Sequence, residues 1–156
     1  VTNDQNILDN SHKDLRRARA AFKSIVPTST GAAKAVGLVL PHLKGKIDGT
    51  AFRVPAENVS VIDFHFYSKK ECTIEEINKS LHNSSILDYK GIISTNNLPL
   101  VSSDFNHNPA SVIVDLTQTQ VQEKRFVKIV GWYDNEWGFA NRMLDIAEYI
   151  YTKNLA

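Results

Sequence analysis

The stretch that decides the fold reads VSVIDFHF at residues 59–66. β-Branched and aromatic residues dominate it, and this composition favours a β-strand, which we place within residues 58–68. The same reasoning predicts further strands at residues 50–55, 91–94, 98–104, 111–116, 117–121 and 126–133. Because strands outnumber the helices that could cross over between them, the order favours antiparallel pairing over a doubly wound parallel sheet.

Helices are predicted on both sides of this stretch. Downstream, TIEE at residues 73–76 matches a capping box, with Thr73 as the cap and Glu76 reaching back to it. Upstream, an Ala-rich apolar segment predicts a helix that starts near Thr30, with Ser29 or Thr30 as its N-cap. Residues 14–22 are predicted to form a short helix or a compact bend.

A last helix is predicted from about residue 136 to residue 153. Its apolar side chains recur every three or four positions, at Phe139, Met143, Ile146, Ala147 and Ile150. The predicted fold class is therefore α+β: a mostly antiparallel sheet with helices packed on one face, plus a C-terminal helix. We find no internal boundary and expect one domain over residues 1–156.

The composition excludes several classes of protein. The 156 residues carry 18 Lys and Arg against 17 Asp and Glu, a net charge of +1, so no general attraction to nucleic acid or to an anionic membrane is expected. One cysteine, Cys72, excludes an intrachain disulfide and a thiolate zinc site, and no two of the five histidines have metal-ligand spacing. The apolar runs are too short for a membrane span. The chain starts at Val1 without a signal-peptide pattern, and we expect it to be a piece of a longer protein.

Two regions are candidate anion sites. TSTG at residues 28–31 precedes the Ala-rich helix, and the free amides of a helix start suit a phosphate group. The alternative is a plain helix cap. Arg16, Arg17 and Arg19 form a second candidate, whose guanidinium groups could clamp a phosphate, form ion pairs or bind RNA. Arg53 adds a charge within a predicted apolar strand, where it faces either a ligand or water.

A third region, WYDNEWGF at residues 132–139, joins the last strand to the last helix. The Asn135 amide has both a donor and an acceptor, as recognition of another amide requires. The alternative is that Asp134 or Asn135 serves as the helix N-cap. Cys72 lacks a neighbouring histidine or oxyanion element, so we interpret it as structural.

Five ordered motifs together resemble the catalytic domain of phosphorylating glyceraldehyde-3-phosphate dehydrogenase. They are DLRRARAA at residues 14–21, PTSTGAAKAV at 27–36, RVP at 53–55, NVSV at 58–61 and WYDNEWG at 132–138. The resemblance covers essentially the whole chain. It implies an antiparallel sheet with helices on one side, in a cytoplasmic, tetrameric, NAD-dependent glycolytic enzyme that uses glyceraldehyde 3-phosphate and inorganic phosphate.

The resemblance also implies roles for individual residues. Thr30 and Gly31 match residues that bind the attacking inorganic phosphate, and Arg53 matches an arginine shared between the two phosphate sites. Further residues match the substrate-phosphate site or its surroundings: Thr2, Asp4 and Arg17. Asn135 matches the asparagine that holds the nicotinamide carboxamide and fixes which face of the ring reacts.

Some features depart from the family pattern. The nucleophilic cysteine, its activating histidine and the nucleotide-binding half are expected upstream of Val1, so this chain alone is predicted to be inactive. Phe139 stands where a tyrosine is common. Asn10 and Ser11 replace a Leu-Pro pair found in many NAD-specific members, so NADP is also allowed as the cofactor.

Three other interpretations stay open at this point. Residues 105–109, FNHNP, with residues 118–119 and 138–143, resemble erythrose-4-phosphate dehydrogenase, in which water completes the reaction. The phosphate residues nevertheless match the phosphorylating enzyme, which we therefore favour. A non-catalytic binding or assembly fragment is the second alternative, and RNA binding through the arginine cluster is the third.

Overall fold

The computed structural model describes residues 6–154. The fold divides into two compact units at the junction between Glu57 and Asn58. In the first unit, β1 (Val26–Thr28) pairs antiparallel with β2 (Ala51–Arg53), and α1 (Ala32–Val39) lies between them in the chain. Single 3-10 turns at Ala21–Lys23 and Pro41–Leu43 complete the unit.

The segment before β1 is a compact bend and not an α-helix, one of the two forms that the sequence allows for residues 14–22. The bend is closed by backbone bonds from Asn10 N to Ala18 O and from Ala21 N to Asn6 O. The Asp9 carboxylate accepts from the Ala20 amide as well. These bonds fix the bend that contains the arginine-rich residues within the first unit.

The second unit is built on a four-stranded sheet in the order β3-β6-β5-β4. Its strands are β3 (Ser60–Tyr67), β4 (Ile93–Asn96), β5 (Val112–Gln122) and β6 (Phe126–Tyr133). Neighbouring strands are antiparallel, except that β4 runs parallel to β5. The predicted α+β class and mostly antiparallel sheet are therefore confirmed.

Helix α2 (Ile74–Ile86) packs against β4 and β5. The predicted capping box starts it, since Thr73 Oγ1 accepts from the Glu76 amide and the Glu76 carboxylate accepts from the Thr73 amide. The Asn78 side chain joins α2 to β5, donating to Leu116 O at 3.0 Å and accepting from Thr119 Oγ1 at 2.6 Å.

The core of the second unit lies between the sheet and the loop that precedes β5. It contains Val59, Phe105, Ala110 and Ile113, with Leu100 and Trp132 packed against it. The Phe105 and Trp132 rings stack with their centroids 5.5 Å apart. This core holds residues 105–110 beside the end of β6, where α3 (Asn135–Asn154) begins.

Gly131 marks a close approach in the middle of the sheet. A Cβ atom at this position would lie 2.6 Å from Val112 Cγ2 on β5 and 3.2 Å from Ile62 Cγ2 on β3. Side chains from both neighbouring strands therefore occupy the space above Gly131. Only glycine fits there without displacing them.

Some predicted elements are corrected by the structure. No strand forms over residues 98–104, because the Asn96 side chain accepts from the Leu98 amide and the Asp104 side chain from the Val101 amide, and a 3-10 turn follows at Ser102–Phe105. The two strands predicted over residues 111–121 are one strand, β5, with an irregular register between Asp115 and Gln120.

The first helix begins later than predicted. Gly31 occupies the N-cap of α1, so neither Ser29 nor Thr30 is the cap. The last helix begins at Asn135, one residue before the predicted start. None of the helices within residues 6–154 is both long and apolar enough to cross a membrane.

Candidate functional site

Arg17 is fixed to the end of β1 by a hydrogen bond. Its Nε donates to Thr28 Oγ1 at 2.8 Å, and Thr28 is only 5% exposed. The Asp14 carboxylate lies 4.0 Å from the same nitrogen. The buried hydroxyl and the nearby carboxylate therefore define where the guanidinium group lies.

Arg53 lies on the same face of the β1–β2 ribbon as Thr28. The register places Arg53 opposite Val26 and Ala51 opposite Thr28. Residues opposite each other in an antiparallel pair point to the same face, and diagonal neighbours such as Thr28 and Arg53 have Cα atoms about 7–8 Å apart. The ribbon therefore brings Arg53 close to the hydroxyl that holds Arg17.

Thr30 and Gly31 follow directly after β1, at the start of α1. Thr30 Oγ1 accepts from the Ala32 amide at 3.2 Å, and within residues 6–154 no side chain caps the helix. The remaining first-turn amides of a helix have no intrahelical acceptor and carry partial positive charge. Gly31 is exposed, and no atom of the described residues lies within 4 Å of the position that a Cβ would take, so a ligand can approach its backbone.

The arginine cluster does not act as one group. Arg19 pairs with Asp9 at 3.4 Å, and both side chains are mostly exposed. Arg16 is exposed, whereas Arg17 is bound to β1. The three guanidinium groups of the cluster therefore have different surroundings. Two further predicted site residues, Thr2 and Asp4, lie outside the described residues.

In the second unit, Asn135 is the first residue of α3 and is exposed. Its side chain makes no hydrogen bond to any residue in the range 6–154, so its amide can bind a ligand. The N-cap of the helix is Asp134, one of the two residues the sequence suggested. Its Oδ1 accepts from the Trp137 amide at 3.2 Å and its backbone oxygen from the Gly138 amide at 2.8 Å.

The Asp134 carboxylate is buried and accepts hydrogen bonds from three parts of the second unit. It is 2% exposed, and its Oδ2 accepts from Asn58 Nδ2 at 2.8 Å and from the His107 amide at 2.9 Å. Burial opposes ionisation, but the hydrogen bonds from His107, Trp137 and Asn58 outweigh it and lower the pKa of Asp134. Asp134 is therefore a carboxylate at neutral pH.

Sequence reasoning missed the residues that support these groups. Thr28 lies within the TSTG motif, but its bond to Arg17 is not predicted from the motif. The contacts of Asn58 and His107 with Asp134 are not predicted from the sequence either. Asn58 lies 76 positions from Asp134 in the chain, and His107 lies 27 positions away. No local spacing indicates such partners, because only the fold brings them together.

Taken separately, the two units offer different chemistry. The first presents guanidinium groups, hydroxyl groups and helix amides, which bind phosphate. The second presents an exposed amide on a rigid helix start, which can recognise a planar amide by hydrogen bonds. Cys72 lies before α2, with its Sγ 3.6 Å from Lys124 O, and within the described residues no group of three His, Cys, Asp or Glu side chains could hold a metal ion.

Comparisons with known proteins show which family the chain belongs to. The family described as glyceraldehyde 3-phosphate dehydrogenase, C-terminal domain, matches residues 1–135. Glyceraldehyde-3-phosphate dehydrogenase from Xanthobacter flavus is 57% identical and that from Cereibacter sphaeroides 55%, each over 94% of this chain and 44% of the relative. The protein of that name from Geobacillus stearothermophilus is 53% identical over 99% of this chain and 46% of its own length. The chain thus spans slightly less than half the length of these curated relatives.

Proposed function

Because the chain belongs to the glyceraldehyde-3-phosphate dehydrogenase family, whose C-terminal domain it matches, we propose that it carries the phosphate-binding groups of that enzyme. The reaction is the oxidation of glyceraldehyde 3-phosphate, with inorganic phosphate, to 1,3-bisphosphoglycerate. The observation that supports this proposal best is the placement of Arg17 and Arg53 on one face of the β1–β2 ribbon. The start of α1, which no side chain of residues 6–154 caps, follows directly after β1.

Two phosphate groups have to be bound in this reaction, one on the substrate and one as the attacking nucleophile. We assign Arg17 to the substrate-phosphate site, together with Thr2 and Asp4, which match the family's motif there. Thr30 and Gly31 bind inorganic phosphate at the helix start, where amide dipoles favour an anion. Arg53, a diagonal neighbour of Thr28 on the ribbon, is proposed to be shared by both sites. Guanidinium groups suit this task because they bind phosphate through two parallel hydrogen bonds.

Asn135 fits the cofactor, since its exposed amide can exchange a donor and an acceptor with the nicotinamide carboxamide. NAD, or NADP, supplies the hydride acceptor when bound. The role of Asn135 is to hold the carboxamide in one orientation, and this orientation decides which face of the ring is presented to the substrate.

The covalent step requires a cysteine thiolate and a histidine base. The thiolate carries the oxidised substrate as a thioester until a phosphate oxygen attacks the carbonyl carbon and the thiolate leaves. Cys72 does not suit this role, because it lies in the turn before α2 with its Sγ 3.6 Å from Lys124 O, and its place in the sequence does not match that of the family's nucleophile. We place the thiol and base in a part of the enzyme outside this sequence, and we expect residues 1–156 alone to be inactive.

The enzyme is expected to work as a cytoplasmic homotetramer, like the family that it resembles. The test is an activity assay of the complete enzyme that contains this chain, with glyceraldehyde 3-phosphate or erythrose 4-phosphate, in the presence and absence of inorganic phosphate. We expect oxidation of glyceraldehyde 3-phosphate that depends on phosphate. Phosphate-independent oxidation of erythrose 4-phosphate as the faster reaction would establish the erythrose-4-phosphate enzyme instead, and no turnover with either aldehyde would support a non-catalytic role.

A further inference from the structure

The Asp134 carboxylate connects three parts of the chain at the start of α3. Oδ1 accepts from the Trp137 amide, in the first turn of the helix. Oδ2 accepts from the Asn58 side chain, just before β3, and from the His107 amide, in the loop before β5. Removing this buried carboxylate would take an acceptor away from the His107 and Trp137 amides and from Asn58 Nδ2, which also donates to Asn106 Oδ1.

His107 holds the same helix turn in a second way. Its backbone has a φ of 59°, a left-handed conformation that few residues other than glycine adopt. With its amide bound to Asp134, its ring lies over the indole of Trp137, with the two centroids 4.6 Å apart. The loop and the first helical turn are therefore joined by a hydrogen bond and by a ring contact.

In the chain, Asn135 lies between Asp134 and Trp137, the two residues that these contacts fix. Because its own side chain bonds to none of residues 6–154, the backbone of the first turn of α3 sets where this side chain starts and the direction of its Cα–Cβ bond. That backbone is held in place by Asp134 on one side and by Trp137 on the other.

We propose that Asp134 is a positioning residue for the cofactor-binding amide of Asn135, acting through its bonds to Asn58 and to the His107 and Trp137 amides. This inference rests on the proposed function, since it takes Asn135 as the residue that orients the nicotinamide. Asp134 itself is buried and is not expected to contact the cofactor.

The proposal separates cofactor binding from phosphate binding. If the helix start loses its fixed position, the Asn135 amide no longer selects one orientation of the carboxamide. Displacements of about 1 Å can change rates by about two orders of magnitude. The phosphate groups are bound in the first unit, so their binding should not change.

The experiment uses the complete enzyme with Asp134→Ala and Asp134→Asn, and with Asn135→Ala as a reference. The measurements are the KM for NAD, the KM for inorganic phosphate and the stereospecificity of hydride transfer to a cofactor labelled with deuterium at the reacting carbon. For Asp134→Ala we expect a KM for NAD raised by about tenfold, transfer to both ring faces and an unchanged KM for phosphate. Asp134→Asn keeps one acceptor oxygen, so we expect the same changes to a smaller degree, and this variant serves if the alanine variant does not fold.

Asp115→Asn is the matched control. The Asp115 carboxylate is also buried, at 3% exposed, and accepts from Thr117 and from the Trp132 indole within the sheet. This control should lower the melting temperature without changing the KM for NAD or the stereospecificity. The proposal is overturned if both Asp134 variants lower only the melting temperature, as Asp115→Asn does, while Asn135→Ala changes cofactor use. If Asn135→Ala also leaves cofactor use unchanged, the cofactor role of Asn135 in the proposed function is wrong as well.

Discussion

Arg17 Nε donates to Thr28 Oγ1 across 2.8 Å, although the two residues are 11 positions apart in the chain. The bond joins the compact bend before β1 to the buried end of that strand. It holds the flexible, charged side chain of Arg17 at Thr28, which precedes Thr30 by two residues in the chain. Thr28 thereby gains a role that its position in the sequence did not reveal.

Thr28→Val should weaken binding of the phosphorylated substrate. The substitution keeps the shape of the side chain but removes the oxygen that accepts from Arg17, so the guanidinium group loses one of the contacts that hold it. A hydrogen bond to a charged group contributes about 1.5–3 kcal/mol, and we expect the KM for glyceraldehyde 3-phosphate to rise at least about tenfold. Steady-state kinetics of the complete enzyme measures this. Thr28→Ser keeps the hydroxyl and should behave like the wild type, and an equal loss in both variants would contradict the role given to the oxygen.

Arg53→Ala and Thr30→Ala should each weaken the use of inorganic phosphate. Arg53→Lys should be only a partial replacement, because an ammonium group cannot form the two parallel bonds of a guanidinium group. The measurement is the KM for phosphate at saturating aldehyde. Lys46→Ala, which removes an exposed charge from the same unit, is the control and should have no effect. An unchanged KM for phosphate in both alanine variants would count against the site.

Gly31→Ala tests access to the start of α1. Gly31 has a φ of −85°, and a Cβ there would meet nothing within 4 Å. The cost to folding is therefore expected to stay within about 1 kcal/mol, the usual size of an N-cap effect. The KM for phosphate should rise more than this cost suggests, because the methyl group lies where the ligand approaches. Gly49→Ala adds a methyl group in equally open space and should change neither quantity, and a Gly31 variant with wild-type kinetics would refute the prediction.

The lowered pKa of Asp134 predicts how stability depends on pH. A carboxyl group with a lower pKa in the folded state stabilises the fold at pH values above its unfolded pKa, here 3.8. That contribution is lost as the pH falls through the lower, folded pKa. Asp134→Asn should therefore destabilise the protein at pH 7 and reduce the further loss of stability below pH 4. Melting temperatures between pH 2.5 and pH 7 test this.

Glu75 provides the comparison for that titration. Its pKa is also lowered, by a bond to its own backbone amide and by the Thr73 hydroxyl, but its side chain is exposed to water. Glu75→Gln should consequently have a much smaller effect on the melting temperature. Parallel pH curves for the wild type and the Asp134 variant would contradict the role of this carboxylate in acid stability.

The elements that could be predicted from the sequence are those with local causes. The capping box at Thr73 and Glu76 needs only residues within one helical turn, and β3 needs only its own β-branched and aromatic composition. The strand expected at residues 98–104 failed because the side chains of Asn96 and Asp104 bond to nearby amides. Such competition between side chains and the backbone is hard to weigh without coordinates.

The last helix shows a different limit. Its apolar period correctly predicted a helix, but Phe139 is 66% exposed, and other apolar residues of the same period, Met143, Ile146 and Ile150, are exposed too. Periodicity states that a face is apolar and does not state what covers it. In the candidate site, Thr30, Arg53 and Asn135 came from motifs, whereas Thr28, Asn58 and His107 depend on contacts between distant parts of the chain.

Gly131 limits which substitutions this sheet tolerates. Since side chains of Val112 and Ile62 fill the space that any Cβ would need, substitution at this position must displace at least one of these side chains. Asp134 follows three residues later, at the start of α3. A variant altered only in the sheet interior is thus expected to disturb the orientation of the nicotinamide while it retains every residue that faces the ligand.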